Sequence, residues 1–259
     1  MAVSPQTKQS HHGARHMLIT GASAGIGAAL AKKAANTGWV VSALARRTDK
    51  LEALAEANPN ILPVKADVSD LASCEEAVRQ AVLGHGPIDV AVLNAGIYHP
   101  QTAPPVDVAS FEAQMDVNYM GMVRMLSHIL PDMAARGAGH IALMGSVAGY
   151  RGLPQAAAYS PTKAAAIALA ESLNFDLEPK GIKIQIINPG FVETDATSVN
   201  DFDMPDIITS EQAAIEILRG LASDRFEIAF PKRFVRQMKM LKYLTDRLYF
   251  KIMRARTGK

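Results

Sequence analysis

The sequence predicts an α/β domain, a doubly wound parallel sheet of about seven strands with helices on both faces. Three observations predict it. From residue 17 onward, short apolar or β-branched runs alternate with longer amphipathic stretches. The short runs are apolar almost throughout, as in strands buried on both faces, and the stretches between them are long enough for crossover helices. No low-complexity linker and no repeat of roughly 20 to 50 residues divides the chain, and its 259 residues suit one such domain.

In chain order, the strand Met17-Leu-Ile-Thr20 leads to a helix over 25–36, and the run 39–45 (WVVSALA) to a helix over 48–57. The run 61–66 (ILPVKA) precedes a helix over 70–83, and 88–94 (IDVAVLN) precedes a long helix over 107–135. The runs 140–146 (HIALMGS) and 182–188 (IKIQIIN) flank a helix near 156–178, and a helix near 210–222 leads to a last strand, 226–230 (FEIAF). Pro104-Pro105 and the polar stretch 193–206 mark loops. Residues 1–16 are polar and aperiodic, without the apolar segment of a secretory signal, and read as a disordered leader; Met17, opening the first apolar run, is a candidate natural start. The domain then spans 17–231, with a tail over 232–259.

Composition is that of a globular protein, with 49% apolar and 20% charged residues, and no apolar run reaches the roughly 18 residues of a membrane span. The single cysteine, Cys74, has no internal disulfide partner and reads as a structural thiol, which suits a reducing cytoplasm. The net charge of +2 conceals an asymmetry. The tail holds ten basic residues and one acid, so it carries +9, whereas the first 231 residues hold 17 basic and 24 acidic residues.

Chemistry gathers at the carboxyl ends of the strands, where a doubly wound sheet binds ligands. After the first strand, Thr20-Gly21-Ala22-Ser23-Ala24-Gly25-Ile26-Gly27 opens directly into a helix. Glycine suits a tight turn, a close approach to pyrophosphate and close helix packing, and the helix start favours an anion, so this turn predicts a dinucleotide cradle. The second strand ends in Leu44-Ala45-Arg46-Arg47. It offers no acid for a ribose diol, while a guanidinium suits a 2′-phosphate, although two arginines can also simply solvate a loop. Asp67, followed by Val68 after the third strand, either meets an adenine amine or caps the helix beginning near Ser69. Tyr159 and Lys163, four residues apart, share a helix face, where a fixed cation would lower a phenol's pKa toward acid/base work.

With Ser146 at the end of the fifth strand, Asn118 in the long helix, Asn94-Ala95-Gly96 after the fourth strand, and Pro189-Gly190 with Val192 and Thr194 after the sixth, the pattern resembles the short-chain dehydrogenase/reductases of the compact, about 250-residue subgroup. The likeness runs from Met17 to about Gly190. It implies a Rossmann-type fold and an oxidoreductase interconverting a carbonyl and an alcohol. Tyr159 would be the acid/base, Ser146 would hold the carbonyl oxygen, Lys163 would bind the nicotinamide ribose and depress the tyrosine pKa, and Asn118 would support a proton-carrying water. Gly21, Ser23, Gly25, Ile26, Gly27, Asn94, Ala95, Gly96, Pro189, Gly190, Val192 and Thr194 would surround the cofactor. Ala45 stands where NAD-preferring members carry aspartate, so the likeness points to NADP(H) held by Arg46 and Arg47, with NAD(H) less favoured; Ala24, where some NADP-preferring members have a basic residue, tempers this. The likeness also implies a homodimer or homotetramer built on the helices 107–135 and 156–178. Rival readings are a sugar-nucleotide epimerase or dehydratase, which needs a larger substrate domain, and a dinucleotide-sensing protein, which has no need of Asn118, Ser146, Tyr159 and Lys163 together.

Phe191 to Thr209 has no regular period and would cover the substrate as an apolar lid. Tyr98, His99, Tyr150, Leu153, Phe191, Phe202 and Met204 are candidate lining residues for a carbonyl or alcohol substrate. In the tail, Phe234, Met238, Leu241, Leu244, Leu248 and Ile252 recur at steps of three or four with most cations opposite. That stripe suits docking on the domain near the pocket or on a partner subunit, and alternatively a peripheral membrane contact. Nucleic acid is disfavoured, because the body is acidic and carries no binding motif.

Overall fold

Because the apolar runs cannot leave either face in water, they pair side by side. The computed structural model describes residues 14–195, 197 and 204–257. Its strands are β1 (His16–Thr20), β2 (Val40–Ala45), β3 (Ile61–Lys65), β4 (Val90–Leu93), β5 (Gly139–Met144), β6 (Ile182–Pro189) and β7 (Glu227–Phe230). They form one sheet in the order β3-β2-β1-β4-β5-β6-β7, with every pairing parallel. β1 pairs β2 on one side and β4 on the other, so strand order reverses there and leaves a crevice at the carboxyl ends. Successive residues such as Leu18 and Ile19, Ala91 and Val92, and Ile186 and Ile187 are all buried, as continuous apolar runs require.

The helices are α1 (Gly25–Ala35), α2 (Thr48–Ala57), α3 (Leu71–His85), α4 (Val108–Met115), α5 (Gly121–Arg136), α6 (Tyr159–Leu177), α7 (Ser210–Leu221), α8 (Lys232–Lys242) and α9 (Asp246–Thr257). α1 packs on α7, and α3 on α5. Asp70 caps α3 through Ser73 N, Asp107 caps α4 through Ser110 N, and Thr209 with Gln212 forms a capping box on α7. α1 differs: Ala24 precedes it, and among the described residues no side chain caps it.

Three boundaries differ from those read in the sequence. Of the leader, residues 1–13 lie outside the described residues, but His16 belongs to β1. It can be buried because its imidazole pairs with Gly86 O at 2.9 Å and Ser42 Oγ at 2.8 Å. The single helix expected over 107–135 is α4 and α5 joined by a π-helical turn, Asp116–Met120, which holds Asn118. The tail is two helices rather than one stripe. Leu248 is 43% exposed, whereas Tyr249 beside it is 2% exposed, because the break after Tyr243 resets the register.

Candidate active site

The turn after β1 is shaped by the residues it lacks. Gly21 sits at φ +69°, and a Cβ there would stand 2.8 Å from Ala95 Cα. A Cβ on Gly27 would lie 2.3 Å from Gly21 O, so this glycine sets the close packing of α1. Asn94 Nδ2 donates to Thr20 O at 3.0 Å, and Ala95 N to Thr20 Oγ1 at 3.0 Å, tying the end of β4 to the end of β1.

A cleft of about 1090 Å³ opens there, lined by Gly21, Ser23, Gly25, Ile26, Arg46, Arg47, Asp67, Val68, Asn94, Ala95, Gly96, Ser146, Tyr159, Lys163, Pro189, Gly190, Val192 and Thr194. Every residue that the resemblance assigned to the cofactor is on this wall except Gly27, which packs behind it. Arg47 donates to Ser23 Oγ from Nε at 3.2 Å and Nη2 at 3.0 Å, joining the end of β2 to the glycine turn. Asp67 accepts from Ser69 N at 3.0 Å and Ser69 Oγ at 2.6 Å. Burial opposes its charge, but these bonds and the cations of Arg46 and Arg124 hold the carboxyl below its usual range. Asp67 therefore closes a local turn on the cleft wall, and of its two readings the helix cap is supplied instead by Asp70.

Asn118 is fully buried. Its Oδ1 accepts from Ile97 N at 2.7 Å, while Nδ2 donates to Ile97 O at 2.9 Å and to Thr162 Oγ1 at 3.2 Å. The π turn thus aims one amide at both backbone groups of the residue after Gly96 and at α6. Lys163, 2% exposed, donates from Nζ to Met144 O at 2.8 Å, and burial lowers its ammonium to about 8. Tyr159 stands over the same wall, edge-on to Tyr98 at 5.0 Å between centroids. Burial pushes its phenol up to about 12, against the lowering by its hydrogen bond with Ser146. That lowering comes from Ser146 and not, as expected, from Lys163, whose ammonium is 5.5 Å from the ring centroid and engaged with Met144 O.

Tyr98, Leu153 and Phe191, three of the candidate lining residues, are on the cleft wall. Tyr150 is not. Its hydroxyl donates to Glu227 Oε1, because the turn Val147–Gly149 swings it toward β7 and α8. Pro205 lines the cleft where Met204 was expected, and His99 is off the wall, its backbone paired with Gln114. Phe202 lies outside the described residues. The sequence reading missed Phe234, Gln237, Met238, Leu241, Met253 and Arg256 as individual lining residues. For Phe234, Met238 and Leu241 the signal was present in the tail's periodicity, since the buried stripe of α8 faces the cleft and Phe234 meets Phe191 at 5.3 Å; Gln237, Met253 and Arg256 stand off that stripe.

The family model of short chain dehydrogenases matches residues 15–203. The chain belongs to that family. An uncharacterized oxidoreductase of Myxococcus xanthus is 34% identical over 91% of this chain and 94% of its own. An alcohol dehydrogenase of Thermococcus sibiricus, solved with 5-hydroxy-NADP, is 26% identical over 83% of this chain and 95% of its own, with a TM-score of 0.75. The 3-ketoacyl-(acyl-carrier-protein) reductase of Brucella melitensis, solved with NADH, is 27% identical over 84% and 96%, with a TM-score of 0.77. The chain is thus an NAD(P)-dependent oxidoreductase with a single Rossmann-type domain. Among the described residues, no helix is long and apolar enough to cross a membrane.

Proposed function

We propose that the enzyme prefers NADPH and interconverts a ketone or aldehyde and an alcohol, with Tyr159 as acid/base. The observation that carries this reading is the grouping of Ser146, Tyr159 and Lys163 on the wall of the cleft that the glycine turn also lines. Two features fit a dinucleotide there. The side-chain-uncapped start of α1 leaves amide donors for a pyrophosphate, and Lys163 has three N–H donors for one protein acceptor, leaving others for ribose hydroxyls. Gly21, Gly25 and Ile26 would hold the diphosphate, and Asn94 to Gly96, Pro189, Gly190 and Thr194 the nicotinamide end. Arg46, exposed on the cleft wall and without an ion pair among the described residues, would meet a 2′-phosphate, with Arg47 supporting it from Ser23. The bound cofactor supplies or accepts the hydride.

The chain's own residues manage the proton and the position of the oxygen. With its phenol held near 12, Tyr159 is protonated at neutral pH, the form that donates to a carbonyl oxygen in the reductive direction. Ser146, hydrogen-bonded to that phenol, orients the same oxygen. Lys163 places a cation beneath the ring, favouring the phenolate left once the proton has gone. Val147, Leu153, Phe191, Phe234 and Met238 give the substrate an apolar wall and exclude water. The buried thiol of Cys74, pushed up to about 11 by burial, is consistent with a cytoplasmic setting. Phe175, 79% exposed on α6, supports a homo-oligomer joined through that helix.

The test follows NADPH oxidation against a panel of apolar carbonyl compounds. Tyr159→Phe should cost about 10²- to 10⁴-fold in kcat, the range for loss of a general acid, with cofactor binding retained. Equal turnover by both proteins would remove Tyr159 from the chemistry. Binding of NADPH without turnover of any carbonyl by the native chain would favour the sensing reading.

A further inference from the structure

The inner faces of α8 and α9 are accounted for: Phe234, Val235, Met238, Leu241 and Tyr249 form one buried cluster with Val147. The outer faces are not. On α8 and its C-cap, Arg233, Arg236, Met240 and Tyr243 follow one another at helical steps of three or four; on α9 so do Arg247, Lys251 and Arg254, with Phe250 three residues after Arg247 and four before Arg254. Met240 is 66% exposed, Tyr243 83% and Phe250 52%. Each is therefore a large apolar side chain in water, ringed by cations. Among the described residues, Lys232, Arg233, Arg236, Lys242, Arg247, Lys251 and Arg254 form no ion pair; the tail's salt bridges are Lys239 with Glu227 and Asp246 with Arg151.

We propose that this outer face docks on the surface of an anionic phospholipid bilayer. Charge complementarity selects the partner: these exposed, unpaired cations belong to a +9 segment of the sequence joined to a body carrying −7. The apolar members select among anionic partners. A phosphate backbone would engage the cations and leave Met240, Tyr243 and Phe250 in water, whereas a headgroup layer takes both, with aromatic and apolar tips sinking toward the acyl boundary. A second copy of the face would set like charges against each other. Because the same two helices supply Phe234, Met238, Leu241 and Met253 to the cleft, docking brings the substrate end of the enzyme to the lipid.

The test is sedimentation of the full chain with phosphatidylcholine vesicles, alone or with about 30 mol% phosphatidylserine, at low and high salt. Pelleting should be at least about tenfold stronger on the anionic vesicles and should fall with salt. The variant M240S/Y243S/F250S, with charge unchanged, and K242Q/R247Q/K251Q should each weaken it about tenfold. Thermal midpoint and turnover of a water-soluble carbonyl should stay at the native level in both variants, so this result is independent of the role of Tyr159. Absence of pelleting, equal pelleting on neutral vesicles, or indifference to both variants overturns the proposal. So does tight binding to a DNA duplex, or self-association lost in the first variant, without any vesicle binding.

Discussion

Replacing Lys163 with methionine should stabilise the fold while abolishing turnover. Lys163 is 2% exposed, and burial alone takes its ammonium from 10.5 to about 8. One pKa unit corresponds to about 1.4 kcal/mol between protonation states, so keeping this charge in the native protein at pH 7 costs about 3 kcal/mol. Methionine keeps the length of the chain without the charge and forfeits the bond from Nζ to Met144 O, worth about 1 kcal/mol net. A gain of about 2 kcal/mol remains, or about 4–8 °C in Tm for a domain of this size. Its pH dependence separates this cause from better packing. Between pH 8 and 10.5 an unfolded lysine keeps a proton that the native one has shed, so native stability rises with pH across that window. Below it both states are charged and the full penalty applies; above it both are neutral and the penalty is gone. Urea unfolding of both proteins, without added cofactor, should therefore show a gap at pH 7 that closes by about pH 10.5. A variant less stable than the native protein at pH 7, or a gap constant with pH, would refute the reasoning.

Two further outcomes concern Arg46 on the cleft wall and Tyr150 off it. Arg46→Ala should raise the Kd for NADPH about 10- to 100-fold, the loss of one or two charge-assisted contacts, and change that for NADH less than about threefold, as read by fluorescence titration; equal weakening of both would sink the 2′-phosphate assignment. Tyr150→Phe should cost about 1 kcal/mol, or roughly 2–4 °C in Tm, because Glu227 keeps Lys239 and Asn188 as partners. KM for carbonyl substrates should not move, and a severalfold change would return that ring to the cleft.

The residues that were readable and those that were not differ in the range of the forces that place them. Continuous apolar runs can only be strands covered on both faces, and a strand followed by a glycine turn and a helix has one place to put its chemistry. Gly21, Asn94, Ser146 and Pro189 could thus be set on one edge of the sheet from local pattern alone. The π turn at Asp116–Met120 left no trace, since one widened turn barely alters a helical period, yet it points the Asn118 amide at Ile97. Asp67 and Asp70 both stand before α3 as plausible caps, and only the positions of Ser69 and Ser73 tell them apart.

The tail shows most clearly where local reading stops. Read as one helix, its period runs from Phe234 through Leu241 and Leu244 to Leu248, and nothing near Tyr243 forbids continuation: no glycine, no proline. What ends α8 comes from 90 residues away. Arg151 donates from Nη1 to Leu241 O at 3.1 Å and to Leu244 O at 2.7 Å, satisfying carbonyls that the helix would otherwise have to bond by continuing. Its other nitrogen pairs with Asp246 at the start of α9, and its plane lies 3.9 Å from the centroid of Tyr249. One guanidinium thereby terminates a helix, starts the next and selects Tyr249 over Leu248 for burial. The faces that α8 and α9 present to the cleft and to solvent are consequently set by a residue in the loop before α6.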